Sequence, residues 1–387
     1  MKISQPLLMK YVFNTFRHQH QAFFVSSKEH IRQQYRLWTK ELPNIQPFYA
    51  VKCNPNQVLL NTIKEMGSHF DCASRHEIQT VLNMGIKPEQ IIFANPIKSI
   101  DDLCYAREKN IKMMTFDNED ELRKIKQYAP QSELICRLLT DDSGSLMRFG
   151  EKFGAPIQTV PNLLKLSREL RCKVIGTSFH IGSGCFEANT YRSAIALSKE
   201  VFEMATKLGL EQFTMLDIGG GFPGTVSSVL NGRVPPFTEF AGIIRSALDQ
   251  FFPSKQHQYL RVIGEPGRFM ATRFSTLFVK VQGKRKVTDT HFLYYINDGV
   301  YGSFNNIIFD HYQVNPIVIK EVRSTHTQKT TATIYGPTCD SMDCIGKNLM
   351  LPECNVGDWF KFENMGAYTS AAASTFNGMP KPLQIYI

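Results

Sequence analysis

The sequence predicts an α/β protein in two parts: a (β/α)8 barrel of the TIM type and a second, all-β domain. Three observations predict it. Eight short apolar runs recur between residues 47 and 265. Stretches of helical period separate them. After about residue 268 those periods stop, while turn-bounded apolar runs continue.

The eight runs are PFYAV (47–51), HFDCA (69–73), IIFAN (91–95), MMTFD (113–117), ELICRLL (133–139), KVIGTSFH (173–180), TMLDI (214–218) and LRVIGE (260–265). Each reads as a short buried strand. Between them, QVLLNTIKEM (57–66), HEIQTVLNMG (76–85), EDELRKIKQY (119–128) and YRSAIALSKEVFEMATKLG (191–209) return apolar residues at helical steps. Alternation alone also fits an open, doubly wound sheet; the count of eight favours the barrel. Further on, TRFSTLFVKVQGKRKV (272–287), HFLYYIND (291–298), PIVIKEV (316–322), TATIYGP (331–337) and DWFKFENMGAYT (358–369) read as strands. QAFFVSS (21–27) is one more, pairing with the β domain or the barrel rim. The expected domains are 28–267 for the barrel, and 1–27 with 268–387 for a β-sandwich or β-barrel-like domain.

Composition narrows the class. A chain of 387 residues, 43% hydrophobic and 20% charged, is a globular protein of about two domains. It has no run of about 18 apolar residues, so no membrane span is expected. MKISQPLLMKYVF carries no cleavage-site pattern, so no signal peptide is expected. The nine cysteines form no C-x-x-C pair, which argues against zinc or a redox dithiol, and no metal is expected. Scattered reduced thiols point to the cytoplasm. The net charge of +9 is spread out, with GKRKV (283–287) its densest cluster, and nucleic-acid binding is not expected.

Barrels carry their chemistry at strand ends. Here those positions hold Lys52, Asp71, Asn95, Asp117, Arg137, His180, Gly219–Gly221 and Glu265. A lone strand-end lysine ordinarily snorkels to the surface. Lys52 can instead be an amine nucleophile that forms a Schiff base with a carbonyl. GGGFPG (219–224) matches G-x-G-x-x-G but follows the seventh strand, so it suits a phosphate better than a dinucleotide. Arg268, after the eighth strand, can clamp the same phosphate. Lysine plus phosphate cradle means pyridoxal 5′-phosphate (PLP). Glu265 is the acid for its ring nitrogen, making the ring an electron sink suited to loss of CO2. His180 can stack on the ring, and Ser183 can donate to the phosphate.

At this point the chain resembles the ornithine decarboxylase family, PLP-dependent decarboxylases with an alanine-racemase-like barrel and a β domain. The matching motifs are YAVKCN (49–54), FDCAS (70–74), SFHIGSGC (178–185), DIGGGFPG (217–224), EPGRF (265–269), NDGVYGSFNNIIFDH (297–311), YGPTCDSMD (335–343) and NMGAYTSAAASTFNG (364–378). The resemblance implies Lys52 as the cofactor lysine, Glu265 at the pyridine nitrogen and His180 on the ring, with Asp71, Glu77 and Arg137 in support. It implies Ser183, Gly220, Gly221, Gly267, Arg268 and Tyr368 around the phosphate. It gives Cys339 the return of a proton to the α-carbon, and Tyr301, Asp310, Asp340 and Phe376 contact with the substrate. It implies a homodimer whose two active sites are shared.

Two acids, Asp310 and Asp340, select a cationic tail, so the expected substrate is a basic amino acid, L-ornithine by the resemblance. Lysine differs by one methylene, worth only about 1–3 kcal/mol, so a lysine or dual activity is the alternative. A racemase would set an arginine where Glu265 stands. A catalytically dead regulator would have lost cofactor contacts, whereas Lys52, His180, Glu265, Arg268, Cys339 and Tyr368 are all present.

Overall fold

The computed structural model describes residues 5–225, 234–321 and 328–387. Val322, the end of the run PIVIKEV, and residues 226–228 after the glycine run lie outside them. The chain divides into two compact units, 32–270 and 1–31 with 271–387. Among the described residues no helix is long and apolar enough to cross a membrane.

The first unit is a closed parallel barrel. Its strands are Ile45–Ala50, His69–Cys72, Ile91–Phe93, Met113–Phe116, Glu133–Leu138, Lys173–Phe179, Met215–Asp217 and Arg261–Gly264, each within one of the eight apolar runs or overlapping it. The eighth strand pairs with both the seventh and the first, which closes the ring and excludes the open sheet. Inside, Phe48, Ile92, Met113, Ile135, Met215 and Ile263 pack as one cluster. Tight turns fix where the strands stop. Asn56, Ser74, Ser99 and Asn118 each accept backbone N–H groups in the first turn of the helix that follows. Such caps satisfy donors a helix start leaves open. Because all eight strands are parallel, their C-terminal ends gather at one mouth.

The second unit is an eight-stranded sheet, in which Phe23–Ser26 pairs with Ser275–Thr288 and with Leu383–Tyr386. The N-terminal strand therefore belongs to the β unit. Period-two alternation splits its residues between two cores. Phe24, Leu277, Val279 and Phe360 face one; Phe23, Val25, Phe278 and Trp359 face the other. A helix over Gln5–Phe16 covers the latter with Val12 and Phe13. The sequence reading missed that helix, because Lys10 interrupts its apolar residues and they are recognisable as a face only beside the sheet. It also missed the strands Cys344–Pro352 and Leu383–Tyr386, whose exposed residues break the apolar pattern. GKRKV lies in the exposed end of Ser275–Thr288, where Lys284 pairs with Glu353 at 2.5 Å and Lys286 with Asp289 at 2.6 Å.

Candidate active site

The mouth of the barrel gathers the predicted cofactor residues other than Tyr368, which lies in the β unit. Lys52 sits in a short 3-10 turn after the first strand, and its Nζ donates to Asp71 Oδ2 at 2.8 Å. Asp71 is buried in the second strand, and its Oδ1 meets no donor. Glu77 acts as a cap: its Oε2 accepts the Ala73 N–H at 2.6 Å at the start of helix Arg75–Asn83, and burial raises its carboxyl pKa. Arg137, in the fifth strand, lies over the Phe153 ring at 5.1 Å. Burial lowers its guanidinium, opposed by Glu265, Asp117, Asp217 and Asp71.

His180 follows the sixth strand. Its Nδ1 accepts the Gly182 N–H at 3.0 Å. Burial, then Arg137 and Lys52, holds the ring well below the usual histidine pKa. The imidazole is therefore neutral, with its proton on Nε2. Phe149 packs edge-on against it at 4.9 Å. Gly220 lies beside this ring: a Cβ there would come within 2.8 Å of His180 Nε2 and 2.9 Å of the Glu265 carbonyl oxygen. Gly221, at φ +106°, is as close-fitting, its Cβ falling 2.6 Å from the Gly182 carbonyl. Arg268 donates to Ser183 Oγ through Nη2 at 3.0 Å and Nε at 3.3 Å, so guanidinium and hydroxyl converge. Gly267 precedes the short helix Arg268–Ala271, accepting the Met270 N–H at 3.1 Å. Glu265 follows the eighth strand, its N–H donating to Gly219 O at 2.7 Å and its sealed Oε1 meeting no donor.

These residues fit PLP. A lysine amine is available for the aldehyde. Orphaned oxygens on Asp71 and Glu265 await donors. A neutral imidazole lies next to a glycine with no room for a side chain, and a guanidinium–hydroxyl pair suits a phosphate.

The β unit holds a second group. Tyr301 donates its hydroxyl to Asp340 Oδ2, and its ring lies 4.4 Å from that of Phe376. The N–H of Met342, then Tyr301, holds the Asp340 carboxyl below its usual range. Cys339 is exposed, and its N–H donates to Asn377 Oδ1 at 3.0 Å. Asp310 ends the short helix Asn306–Phe309. Tyr368 adopts φ +54°, uncommon for a residue with a side chain. Among the described residues no group of three His, Cys, Asp or Glu is arranged to hold a metal ion.

Sequence reasoning missed several residues. Asp217, at the end of the seventh strand, is wholly buried beside Glu265. Its strand-end position was the available signal. Asp343 receives the Val300 N–H at 2.8 Å and both the N–H and hydroxyl of Thr338, tying the Tyr301 loop to the Cys339 loop. A Cβ on Gly299 or Gly336 would fall 2.2 Å from its carboxylate. Lys98, fully buried, pairs with Glu121 at 2.9 Å.

A family model described as "Pyridoxal-dependent decarboxylase, pyridoxal binding domain" matches residues 28–272. The chain is 43% identical over 380 residues to the probable ornithine decarboxylase of Dictyostelium discoideum, covering 94% of this chain and 79% of that protein. It is 44% identical over 368 residues to antizyme inhibitor 2 of Xenopus laevis, covering 92% and 79%. The solved arginine decarboxylase of Paramecium bursaria Chlorella virus superposes with a TM-score of 0.91 at 37% identity, over 98% of this chain and 100% of that one.

Proposed function

The chain belongs to the pyridoxal-dependent decarboxylases, and on that premise we propose that it removes the α-carboxylate of L-ornithine, releasing putrescine and CO2. The observation that carries the reading is the group of Lys52, Asp71, Arg137, His180 and Glu265 at one barrel mouth, beside the Ser183–Arg268 pair.

PLP, when bound, supplies the electron sink that makes loss of CO2 feasible. The chain's residues do the rest. Lys52 presents its amine, and Asp71 holds that amine by a 2.8 Å bond. Arg268, Ser183 and the glycine run bind the phosphate. Neutral His180 offers a flat face to the ring. Glu265 faces the ring nitrogen and keeps a proton there. Asp310 and Asp340 bind the distal ammonium of the substrate, with Tyr301 and Phe376 beside them. Cys339 delivers the proton that replaces the carboxylate at Cα.

We place Lys52 and Cys339 of each site on different protomers of a homodimer, as the resemblance implies, and the enzyme in the cytoplasm, in keeping with nine free cysteines. Lysine is the runner-up substrate. Similarity to a protein named antizyme inhibitor favours a second, non-catalytic reading. Against it stands the full set of cofactor residues. The test is the purified protein with PLP and, separately, ornithine, lysine, arginine and diaminopimelate, following CO2 release. Borohydride should fix the cofactor on Lys52, and ornithine should give the highest kcat/KM. No CO2 from any substrate would refute the enzymatic reading, and preference for arginine would refute the substrate.

A further inference from the structure

The segment that leaves the fifth strand of the barrel is clasped onto the cofactor residues. Its short strand Ser145–Met147 pairs antiparallel with Ser183–Cys185, Met147 opposite Ser183. Ser145 Oγ donates to Ile181 O at 2.6 Å, and Gly144 O accepts the Phe186 N–H at 2.9 Å. The fit is close: a Cβ on Gly182, which adopts φ +85°, would lie 2.6 Å from Met147 O. One carboxylate oxygen closes the segment on itself. Asp142 Oδ2 accepts the Phe149 N–H at 2.5 Å and the Gly150 N–H at 2.9 Å. A carboxylate that accepts from backbone in this way holds it more firmly than a neutral acceptor does. The clasp delivers the Phe149 ring to 4.9 Å from that of His180, at 70° to it.

His180 needs that contact. Its Nδ1 accepts the Gly182 N–H at 3.0 Å, and Thr140 Oγ1 donates to its carbonyl oxygen at 3.2 Å. The first bond fixes one ring nitrogen but leaves the plane of the ring free to turn about the bond. Gly220, beside Nε2, has no side chain to stop that turn. The Phe149 ring stops it. A flat ring stacks on another only when its plane is set. We propose that Asp142 and Phe149 are positioning residues for the cofactor: Asp142 clasps residues 142–150 so that Phe149 sets the plane of the His180 ring, on which the proposed cofactor lies. Both act through His180. The same segment carries the strand paired with Ser183, whose hydroxyl Arg268 meets at 3.0 Å. One piece of chain therefore registers the stacking face against the phosphate hydroxyl. That ribbon is a two-stranded sheet apart from the barrel, so the register comes from the segment itself.

This rests on the cofactor reading above, and its test separates the two. PLP affinity and the visible circular dichroism of the bound cofactor are measured for Phe149→Ala, Phe149→Leu, Asp142→Ala and Asp142→Asn. Nitrogen NMR of the histidine-labelled, cofactor-free proteins follows the His180 ring, its signals assigned by their loss in His180→Gln. Phe149→Ala should raise the Kd for PLP about 2- to 12-fold, the worth of one aromatic pair. Its dichroism should change, and its His180 signals should move from one fixed tautomer toward an average of two. Phe149→Leu keeps most of the bulk and should recover most of the affinity. Asp142→Ala should follow Phe149→Ala, while Asp142→Asn, which keeps an acceptor oxygen, should recover. The two alanine changes together should lose little more than the larger single loss, because residues that act through one another are not additive. Unmoved His180 signals in Phe149→Ala, whatever its affinity, or an unchanged Kd, would overturn the proposal. Losses that multiply in the double variant would overturn the clasp. If Phe149→Ala does not fold, Phe149→Val decides by the same readouts. Failure of wild type to load PLP on Lys52 would remove the cofactor reading, while the His180 signals of the cofactor-free protein still judge the clasp.

Discussion

Gly220→Ala adds one methyl group at a tightly fitted point beside the proposed cofactor. Its Cβ would lie 2.8 Å from His180 Nε2 and 2.9 Å from the Glu265 carbonyl oxygen. Non-bonded heavy atoms settle at about 3.5 Å or more, so each neighbour has to retreat by about 0.6–0.7 Å. Neither is free to do so. The imidazole is held by the Gly182 N–H at 3.0 Å and wedged by Phe149. The Glu265 backbone is tied to Gly219 at 2.7 Å. Overpacking of this kind costs about 1–3 kcal/mol. If most of it falls on the loaded state, the Kd for PLP rises about 5- to 150-fold. The assay is a PLP titration followed by absorbance, with Tm of the cofactor-free protein alongside. Gly242→Ala is the control. It lies in helix Phe237–Phe251 with nothing within 4 Å of its Cβ, so PLP binding should be unchanged. Tm should hold or rise, because alanine is favoured over glycine in a helix by about 1 kcal/mol. If Gly220→Ala binds PLP like wild type at an unchanged Tm, the close fit beside His180 and Glu265 is not where the cofactor lies.

Cys339→Ala should slow putrescine release and divert part of the flux to an aminoaldehyde, because the proton then goes to the cofactor instead of Cα; clean putrescine at the normal rate would rule out that role. Asp310→Asn should raise KM for ornithine by about 2–5 kcal/mol equivalent while PLP binding holds, since one side of a charge pair is lost; unchanged ornithine kinetics would remove Asp310 from the site. Mixing inactive Lys52→Ala chains with slowed Cys339→Ala chains should add about a quarter of wild-type putrescine release to the residual rate: half the dimers are mixed, and each has one intact site. A mixture that stays at the residual rate after mass spectrometry shows exchange would place both residues on one chain. Glu121→Ala should destabilise the fold by about 3–5 kcal/mol, because it strands the buried Lys98 ammonium. Burial lowers Lys98 to about 8, so the folded state binds fewer protons than the unfolded one, and wild-type stability should rise between pH 8 and 10.5, a rise that Lys98→Met removes.

The barrel was legible because its strands are short, mostly apolar runs set between stretches of helical period. PFYAV, HFDCA and IIFAN need no partner to declare themselves, and their turn residues, Asn56, Ser74 and Ser99, mark where each following helix begins. The β unit was legible where its strands are runs of apolar residues. Ser275–Val281 reads easily, whereas Cys344–Pro352 has exposed residues that local pattern cannot tell from a loop. The helix Gln5–Phe16 illustrates the same limit: Val12 and Phe13 are buried only because Phe23, Phe278 and Trp359 stand opposite them. Of the candidate site, Lys52, His180, Arg268 and Glu265 could be found because a strand end is a position the fold class assigns to chemistry.

The illegible part of the site consists of pairs that only closure of the ring creates. Asp217 and Glu265 are 48 positions apart in the chain, each with an ordinary explanation as a strand-end acid. They lie at neighbouring strand ends because the seventh strand pairs with the eighth, Asp217 opposite Ile263, which places Glu265 two residues beyond the last pair. The same closure sets Gly264 opposite Pro47, bringing the eighth strand end beside the strand that leads to Lys52. A sequence scan meets a carboxylate and asks what it binds. The structure sets two buried acids at neighbouring strand ends. Such a pair has no recognisable pattern in the chain, because strand pairing and not sequence proximity makes it.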